Sequence, residues 1–367
     1  MRVLLTRGGN AALLQHLHRP ASVRLGPATV ATVPKRSCHW QRDMCRRCYS
    51  SEDYCVEDND SGRKESVVVV MGATGTGKSK LSIDLATEFS GEVVNSDKIQ
   101  VYRGLDITTN KMPVADRCGV PHHLLGDLDP AAGELPPAAF REMVARAISG
   151  IAGRGRLPVV AGGSNSFIYA AMAGSYDPGR SPFAGGWKAG RRREGRLRYR
   201  CRFLWVDVEA ATLAEQLDQR VEEMVAAGMV EELGRYFEAD EEAGKLRHPG
   251  LAKAIGLAEF QKYFLGEGRG TAPAYEAAVM AIKANTRRLA EEQVWKIERL
   301  KQMGWPLRRL DATAVVAARL AREAAEAEAA WERDVAGPGA AAVEQFLKEK
   351  SEGHLHHHIV PSPLIYA

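Results

Sequence analysis

The stretch Val67-Val68-Val69-Val70-Met71-Gly72-Ala73-Thr74-Gly75-Thr76-Gly77-Lys78-Ser79 joins two patterns that belong together. Its first five residues are apolar and mostly β-branched, without polar alternation, as a parallel strand buried on both faces requires. The next eight satisfy G-x-x-x-x-G-K-[ST], a loop whose glycines let successive backbone N–H groups wrap a phosphate. Helical spacing follows at once, with Leu81, Leu85 and Phe89 on one face. In this P-loop order the helix N-terminus faces the anion, Lys78 supplies a point charge and the Ser79 hydroxyl can ligate Mg2+. The expected phosphate-binding residues are Gly72, Gly75, Thr76, Gly77, Lys78 and Ser79. The loop does not say whose phosphate it holds.

Outward from this stretch, short apolar runs at 92–95, 157–161 and 202–208 predict further strands. Between the first two, residues 137–151 carry Phe140, Met143, Val144, Ala147 and Ile148 at helical spacing. Strands alternating with helices define an α/β fold, a P-loop NTPase-like parallel sheet flanked by helices with its sites at the carboxyl ends of the strands. Residues 174–200 break the pattern with Gly, Pro and the crowded Arg191, Arg192, Arg193, Arg196, Arg198 and Arg200. This reads as a mobile, solvated basic loop, since the aromatic interleaving of an RNA-binding patch is sparse. From 210 to about 309 the periodicity is helical, which predicts a small inserted helical subdomain and then a helix returning to the core. The expected division is 1–62 leader and linker, 63–173 P-loop core, 174–270 mobile loop and inserted helical subdomain, 271–310 returning core helix, and 311–367 helical and disordered tail. Within the tail, 312–333 is rich in Ala, Glu and Arg and reads as a solvent-exposed helix without chemistry. His354, His356, His357 and His358 read as part of a disordered end.

The chain has 367 residues, 45% hydrophobic and 26% charged, enough for one large core and a smaller appended unit. Its net charge of +4 arises largely at the N-terminus and does not point to nucleic acid. No uncharged apolar run approaches the ~20 residues that cross a bilayer. Residues 1–50 hold eight Arg and one Lys against a single acid, Asp43, without a long apolar segment. That is the composition of an organelle transit peptide, with the plastid as expected destination and the mitochondrion as alternative. Cys38, Cys45, Cys48 and Cys55 lie in or just after this leader, leaving Cys118 and Cys201 in the body, so a disulfide framework for the core is not expected. The Cys45-x-x-Cys48 pair lacks a second pair at zinc-finger spacing.

Four further features carry chemistry or imitate it. In Asn95-Ser96-Asp97-Lys98, just past the second strand, Asp97 can accept a proton or hold an amine, and can equally cap a helix. Ala161-Gly162-Gly163-Ser164-Asn165-Ser166-Phe167 permits close approach of a ligand, and is also an ordinary strand-to-helix turn. Val206-Asp207-Val208 looks like a Walker B strand end but serves as well as a cap, so no Mg2+ is assigned to it. His122-His123 lacks carboxylates at metal spacing and reads as structural or substrate-positioning.

Together these residues resemble the isopentenyltransferase family over about residues 67–300. The runs that carry the resemblance are Gly-Ala-Thr-Gly-Thr-Gly-Lys-Ser at 72–79, Asn-Ser-Asp-Lys-Ile-Gln-Val-Tyr-Arg-Gly-Leu at 95–105, Ile-Thr-Thr-Asn-Lys at 107–111 and Pro-His-His-Leu-Leu-Gly at 121–126. Ala-Gly-Gly-Ser-Asn-Ser-Phe-Ile at 161–168, Arg-Val-Glu-Glu-Met at 220–224 and Lys-Ala-Ile-Gly at 253–256 add to them. The resemblance implies that the P-loop holds the diphosphate of dimethylallyl diphosphate, or of its hydroxylated analogue, and that the second substrate is an adenine nucleotide. It makes Asp97 the base on the adenine N6 amine, and Thr74, Lys78 and Lys253 the groups that stabilise departing pyrophosphate, with Mg2+ assisting through Ser79. It assigns the nucleotide to Ser96, Lys98, Gln100, Thr109, Asn110, Ser164 and Asn165.

The branch that modifies adenine nucleotides, and so starts cytokinin synthesis, is favoured by two differences. No Cys follows Cys201, where eukaryotic tRNA-modifying relatives commonly carry a zinc finger, and Ser164-Asn165-Ser166 stands where those relatives tend to have aromatic residues. ATP or ADP is then the expected acceptor, with AMP as alternative, and a monomer with neither membrane nor stable nucleic-acid partner is expected. A tRNA isopentenyltransferase working on a flipped-out base, a small-molecule kinase and a non-catalytic nucleotide-binding descendant remain the alternatives. One departure stands out: relatives read Leu-Ala-x-Arg-Gln where this chain has Leu289-Ala290-Glu291-Glu292-Gln293. Glu292 facing a phosphate would repel it, and Lys283, Arg287 and Arg288 are the nearby cations that could compensate.

Overall fold

Every residue of β1 (Ser66–Met71) is buried, because the strand lies inside a six-stranded sheet with helices on both faces. The structure, a computed structural model, describes residues 64–184, 195–243, 248–266 and 268–355. The leader with its four cysteines, Arg191, Arg192 and Arg193 of the basic loop, and His356, His357 and His358 lie outside the described residues. The other strands are β2 (Gly91–Asn95), β3 (His122–His123), β4 (Leu157–Gly162), β5 (Arg200–Asp207) and β6 (Leu307–Asp311). Their order is β3-β2-β4-β1-β5-β6, and all five pairings are parallel. Parallel pairing needs crossovers, so the loops leaving β1, β2, β4 and β5 all emerge on one edge of the sheet.

Alternation along β1 divides the core in two. Val67, Val69 and Met71 face one side, with Phe140, Val144 and Ile148 of α2 (Pro137–Gly153), Phe167 and Ile168 of α3 (Asn165–Met172) and Ile282 and Ile297 of α7 (Ala272–Gln302). The same core takes in Leu233 and Tyr236 of α5 (Met229–Ala243) and Phe260 of α6 (Leu257–Leu265). Val68 and Val70 face the other side, with Leu81 and Leu85 of α1 (Lys78–Glu88) and Leu213 and Leu217 of α4 (Ala210–Ala226).

Two expectations are corrected. Residues 307–310, expected inside the returning helix, lie in the edge strand β6. Helix α7 stops at Gln302, Gly304 turns the chain at φ 88°, and Pro306 bars continuation of the helix. The Ala-rich stretch after it is not a solvated helix. Val315 and Val316 of α8 (Thr313–Leu320), Ala330 and Trp331 of α9 (Ala324–Trp331) and Val343 of α10 (Gly337–Leu355) are all buried in the second core. Alanine hid this face from a propensity reading, since it is both the best helix former and small enough for close packing.

Phe140 is fully buried and stacks on Phe167 with ring centroids 4.2 Å apart. Phe140→Ala is expected to lower the unfolding free energy by about 3–5 kcal/mol, measured by denaturant titration, through lost burial and the cavity left behind.

Candidate active site

Gly72 begins the phosphate loop where the chain passes so close to β5 that a Cβ there would run into the Val206 carbonyl. Gly75 and Gly77 have φ 83° and 95°, values that favour glycine. Thr76 is buried, and its Oγ1 donates to the Ala73 carbonyl at 2.9 Å, tying the loop across its own turn. Gly77 is the N-cap of α1, so the first N–H groups of that helix point into the loop. The exposed Ser79 stands in the first turn of α1.

Three cation-bearing or polar groups converge there. Lys78 Nζ donates to the Ala73 carbonyl at 2.5 Å. Arg220, on α4, donates to the Thr74 hydroxyl at 3.0 Å from its Nη1. Gln293, on α7, accepts the Thr74 N–H through its Oε1 at 2.8 Å. Loss of water around the Lys78 ammonium, reinforced by Arg220 and partly opposed by Asp97, pushes its pKa down to about 7. Burial also lowers the Arg220 pKa, against the pull of Asp97 and Glu223, but a guanidinium stays charged. Two crowded cations in a desolvated loop make a site that gains from an anion.

Of the two roles left open for Asp97, the structure shows the cap. Its Oδ1 accepts the backbone N–H groups of Ile99 at 2.9 Å and Gln100 at 3.3 Å, capping the turn after β2. Its Oδ2 is not used in that cap, and its charge is close enough to raise the pKa of both Lys78 and Arg220. Asn95 fixes the turn, donating from Nδ2 to Leu124 O at 2.8 Å and accepting the Asp97 N–H at 3.2 Å.

The loop after β4 locks against the loop after β2. Ser96 N–H donates to Ala161 O at 2.7 Å, Ser164 N–H to Ser96 O at 3.2 Å, and Lys98 N–H to the Ser164 hydroxyl at 2.9 Å. Asn165 Nδ2 donates to the Gln293 carbonyl at 3.0 Å. The Ser96 hydroxyl and Asn165 Oδ1 are buried without a hydrogen-bond partner. Gln100 Nε2 donates to Thr109 O at 2.9 Å and Asn110 O at 3.2 Å, so it holds the 105–111 loop. The same loop is clamped by Glu232 of α5, which accepts the N–H of Ile107 and both the N–H and hydroxyl of Thr108 at 2.6–3.1 Å.

The other residues singled out in the sequence lie elsewhere. Lys253 Nζ pairs with both Glu134 oxygens, at 2.7 and 2.6 Å, with side chains 60% and 55% exposed, so the pair is weakly held and its lysine exchangeable. Asp207 is engaged by Arg309 at 2.6 Å, and the cap of α4 is Glu209 rather than Asp207. His123 Nε2 lies 2.6 Å from the buried Glu92, which also accepts from Arg154 at 2.6 Å. Among the described residues no three His, Cys, Asp or Glu side chains cluster to hold a metal. Glu292 points outward on α7, near Arg288 at 3.7 Å and Lys296 at 3.9 Å, while Lys283 and Arg287 pair with Glu222 and Asp218 of α4. The neighbouring Gln293 is the residue that meets the phosphate loop.

The IPP transferase family model matches residues 100–184 and 176–297. An adenylate isopentenyltransferase of Humulus lupulus is 48% identical over 298 residues, 76% of this chain and 90% of that protein. The chain belongs to the IPP transferase family. Adenylate isopentenyltransferase 8, chloroplastic, of Arabidopsis thaliana is 48% identical over 71% of this chain and 80% of its own length. Adenylate isopentenyltransferase 7, mitochondrial, of the same plant is 40% identical over 79% and 82%. Among solved structures, a eukaryotic dimethylallyltransferase acting on tRNA superposes with TM-score 0.63 at 24% identity, covering 78% of this chain and 80% of that one. A full-length tRNA isopentenylpyrophosphate transferase from Bacillus halodurans gives TM-score 0.56 at 24% identity over 73% and 99%. These two likenesses establish the shared P-loop NTPase-like fold.

Within this family fold, Arg220, Glu232 and Gln293 are the residues to which sequence reading gave no role. Arg220 shares a helix face with Leu213 and Leu217, which lie over Gly75, and Gln293 is a polar residue on a face otherwise made of Ala290 and Ile297. A buried polar residue in an apolar stripe was the available signal.

An anion beside Lys78 raises its pKa again, so binding takes up a proton. Affinity for inorganic pyrophosphate is therefore expected to be full below pH 7 and to fall above it, by up to about tenfold per pH unit. Calorimetry on wild type and Lys78→Met at each pH checks this, because the comparison cancels the ionisation of pyrophosphate itself, and equal pH slopes would refute it.

Proposed function

We propose that the chain transfers the isopentenyl group of dimethylallyl diphosphate to the N6 amine of ATP or ADP, or of AMP, releasing pyrophosphate as the first step of cytokinin biosynthesis. The observation that carries this reading is a carboxylate, Asp97, set close to two cations at a phosphate-binding loop. A kinase needs the same loop for ATP, but the relatives with 40–48% identity over most of their lengths are named adenylate isopentenyltransferases.

The chemistry follows from charge. The N6 lone pair attacks the allylic carbon, the carbon–oxygen bond breaks with its electron pair leaving on pyrophosphate, and the N6 proton passes to Asp97. Negative charge grows on the leaving group, where the loop N–H groups, Lys78, Arg220 and the Thr74 hydroxyl can stabilise it more strongly than in the ground state. Lys253 is paired with Glu134 at the surface, and it joins them only if substrate phosphate displaces that carboxylate. Ser96, Lys98, Gln100, Thr109, Asn110, Ser164 and Asn165 form or support the acceptor side, where the Ser96 hydroxyl and Asn165 Oδ1 offer unpaired polar atoms. A single protein hydroxyl, Ser79, suits Mg2+, which usually keeps several waters and takes its remaining ligands from substrate phosphates. Mg2+ held there would neutralise charge on the diphosphate.

The basic leader, with relatives named chloroplastic and one named mitochondrial, supports the plastid as destination and the mitochondrion as alternative. No described helix is long and apolar enough to cross a membrane. We infer a monomer that acts on free nucleotide and not on tRNA.

The test is an assay with dimethylallyl diphosphate, Mg2+ and separately ATP, ADP, AMP and unmodified tRNA, with products identified by mass spectrometry. Prenylated free nucleotide is expected, and Asp97→Asn is expected to reduce kcat by roughly 10²–10⁴-fold while retaining pyrophosphate binding. Prenylation of tRNA alone, or formation of ADP from ATP, would overturn the assignment.

A further inference from the structure

The six-membered ring of Trp331 packs against the backbone of Gly77 in the phosphate loop. A Cβ on Gly77 would lie 2.9 Å from Trp331 Cζ3 and 3.2 Å from Cη2. The indole is 1% exposed, and its Nε1 donates to Asp84 Oδ2 at 2.8 Å, two turns further along α1. Lys80 of the same helix sits 4.7 Å from the ring centroid, and bridges to Asp84 at 3.2 Å and to Glu328 of α9 at 3.6 Å. The Arg319 guanidinium of α8 lies 5.8 Å from that ring. Directly after Trp331 the chain takes a π-helical turn, Glu332–Ala336, a form that often marks functional sites. Trp331 lies beyond residue 297, the last that the family model matches.

We propose that Trp331 is a positioning residue for diphosphate binding: it braces Gly77 and the first two turns of α1 so that the loop and helix N–H groups keep their convergence on the anion. This rests on the transfer reading only in naming the diphosphate as the loop's ligand. The loop binds with backbone groups, and Gly77 has no side chain to anchor it, so its position depends on what packs behind it. The indole touches that point with its carbon edge and grips α1 with its N–H. Removing it frees the cap to shift, and hydrogen bonds weaken steeply with misalignment.

The test compares wild type, Trp331→Phe and Trp331→Ala by calorimetry with inorganic pyrophosphate, steady-state kinetics and thermal denaturation. Trp331→Ala is expected to weaken pyrophosphate binding and raise the KM for dimethylallyl diphosphate by about tenfold or more, since small misplacements of binding groups are costly. The KM for the nucleotide should change less than about twofold, because the acceptor side rests on other loops. Trp331→Phe, which keeps a ring against Gly77, should recover most of the affinity. A folded Trp331→Ala with lowered Tm but wild-type pyrophosphate affinity would overturn the inference and leave Trp331 a core residue. Should Trp331→Ala fail to fold, Trp331→Leu carries the same comparison. Failure of the wild type to bind pyrophosphate would instead overturn the diphosphate reading of the loop, and this inference with it.

Discussion

A loop that binds phosphate through its backbone must be held from outside, because the glycines that let it wrap an anion have no side chains to anchor it. Here the restraint comes from four directions. The Val206 carbonyl of β5 lies where a Cβ of Gly72 would be, Leu217 of α4 lies against Gly75, Gln293 of α7 takes the Thr74 N–H, and Trp331 of α9 backs Gly77. Each support comes from a different part of the chain, so the geometry of eight consecutive residues depends on segments up to about 250 positions away. The parallel sheet makes this possible by delivering every loop to one edge.

The electrostatics follow from the same crowding. Lys78 and Arg220 are brought together in a space that strips their water, and Asp97 is the nearby carboxylate that partly relieves them. Such an arrangement is costly for a resting protein and suited to a site whose ligand arrives with several negative charges. Asp97 stands on the neighbouring loop, apart from the backbone groups of the phosphate loop but within electrostatic reach of its two cations. Its Oδ1 is committed to the turn, which orients the carboxylate before any substrate is present.

Position alone did not decide the rest. Glu292 looked like a phosphate-repelling change, yet helix α7 turns it to solvent and presents Gln293 instead. Lys283 and Arg287, candidate compensating charges, serve to clamp α7 to α4. Lys253 matches a family motif, yet it rests on Glu134 at the surface. In each case one residue of helical phase or one rival partner changes what a side chain reaches, and neither is visible in a linear pattern.

The sequence by itself determined the strand, loop and helix of residues 66–88, the α/β class and the placement of Asp97 after β2, because these depend on local periodicity, glycine spacing and short-range turns. It also carried the family, through many short ordered motifs. The tertiary structure alone decided that residues 307–311 add a sixth strand, that an Ala-rich tail forms part of the core, and that Arg220, Gln293 and Trp331 converge on the phosphate loop. The reason is physical: edge pairing, burial of small side chains and contacts between distant helices are set by which surfaces remain uncovered once the sheet has formed, and no window of sequence contains that information.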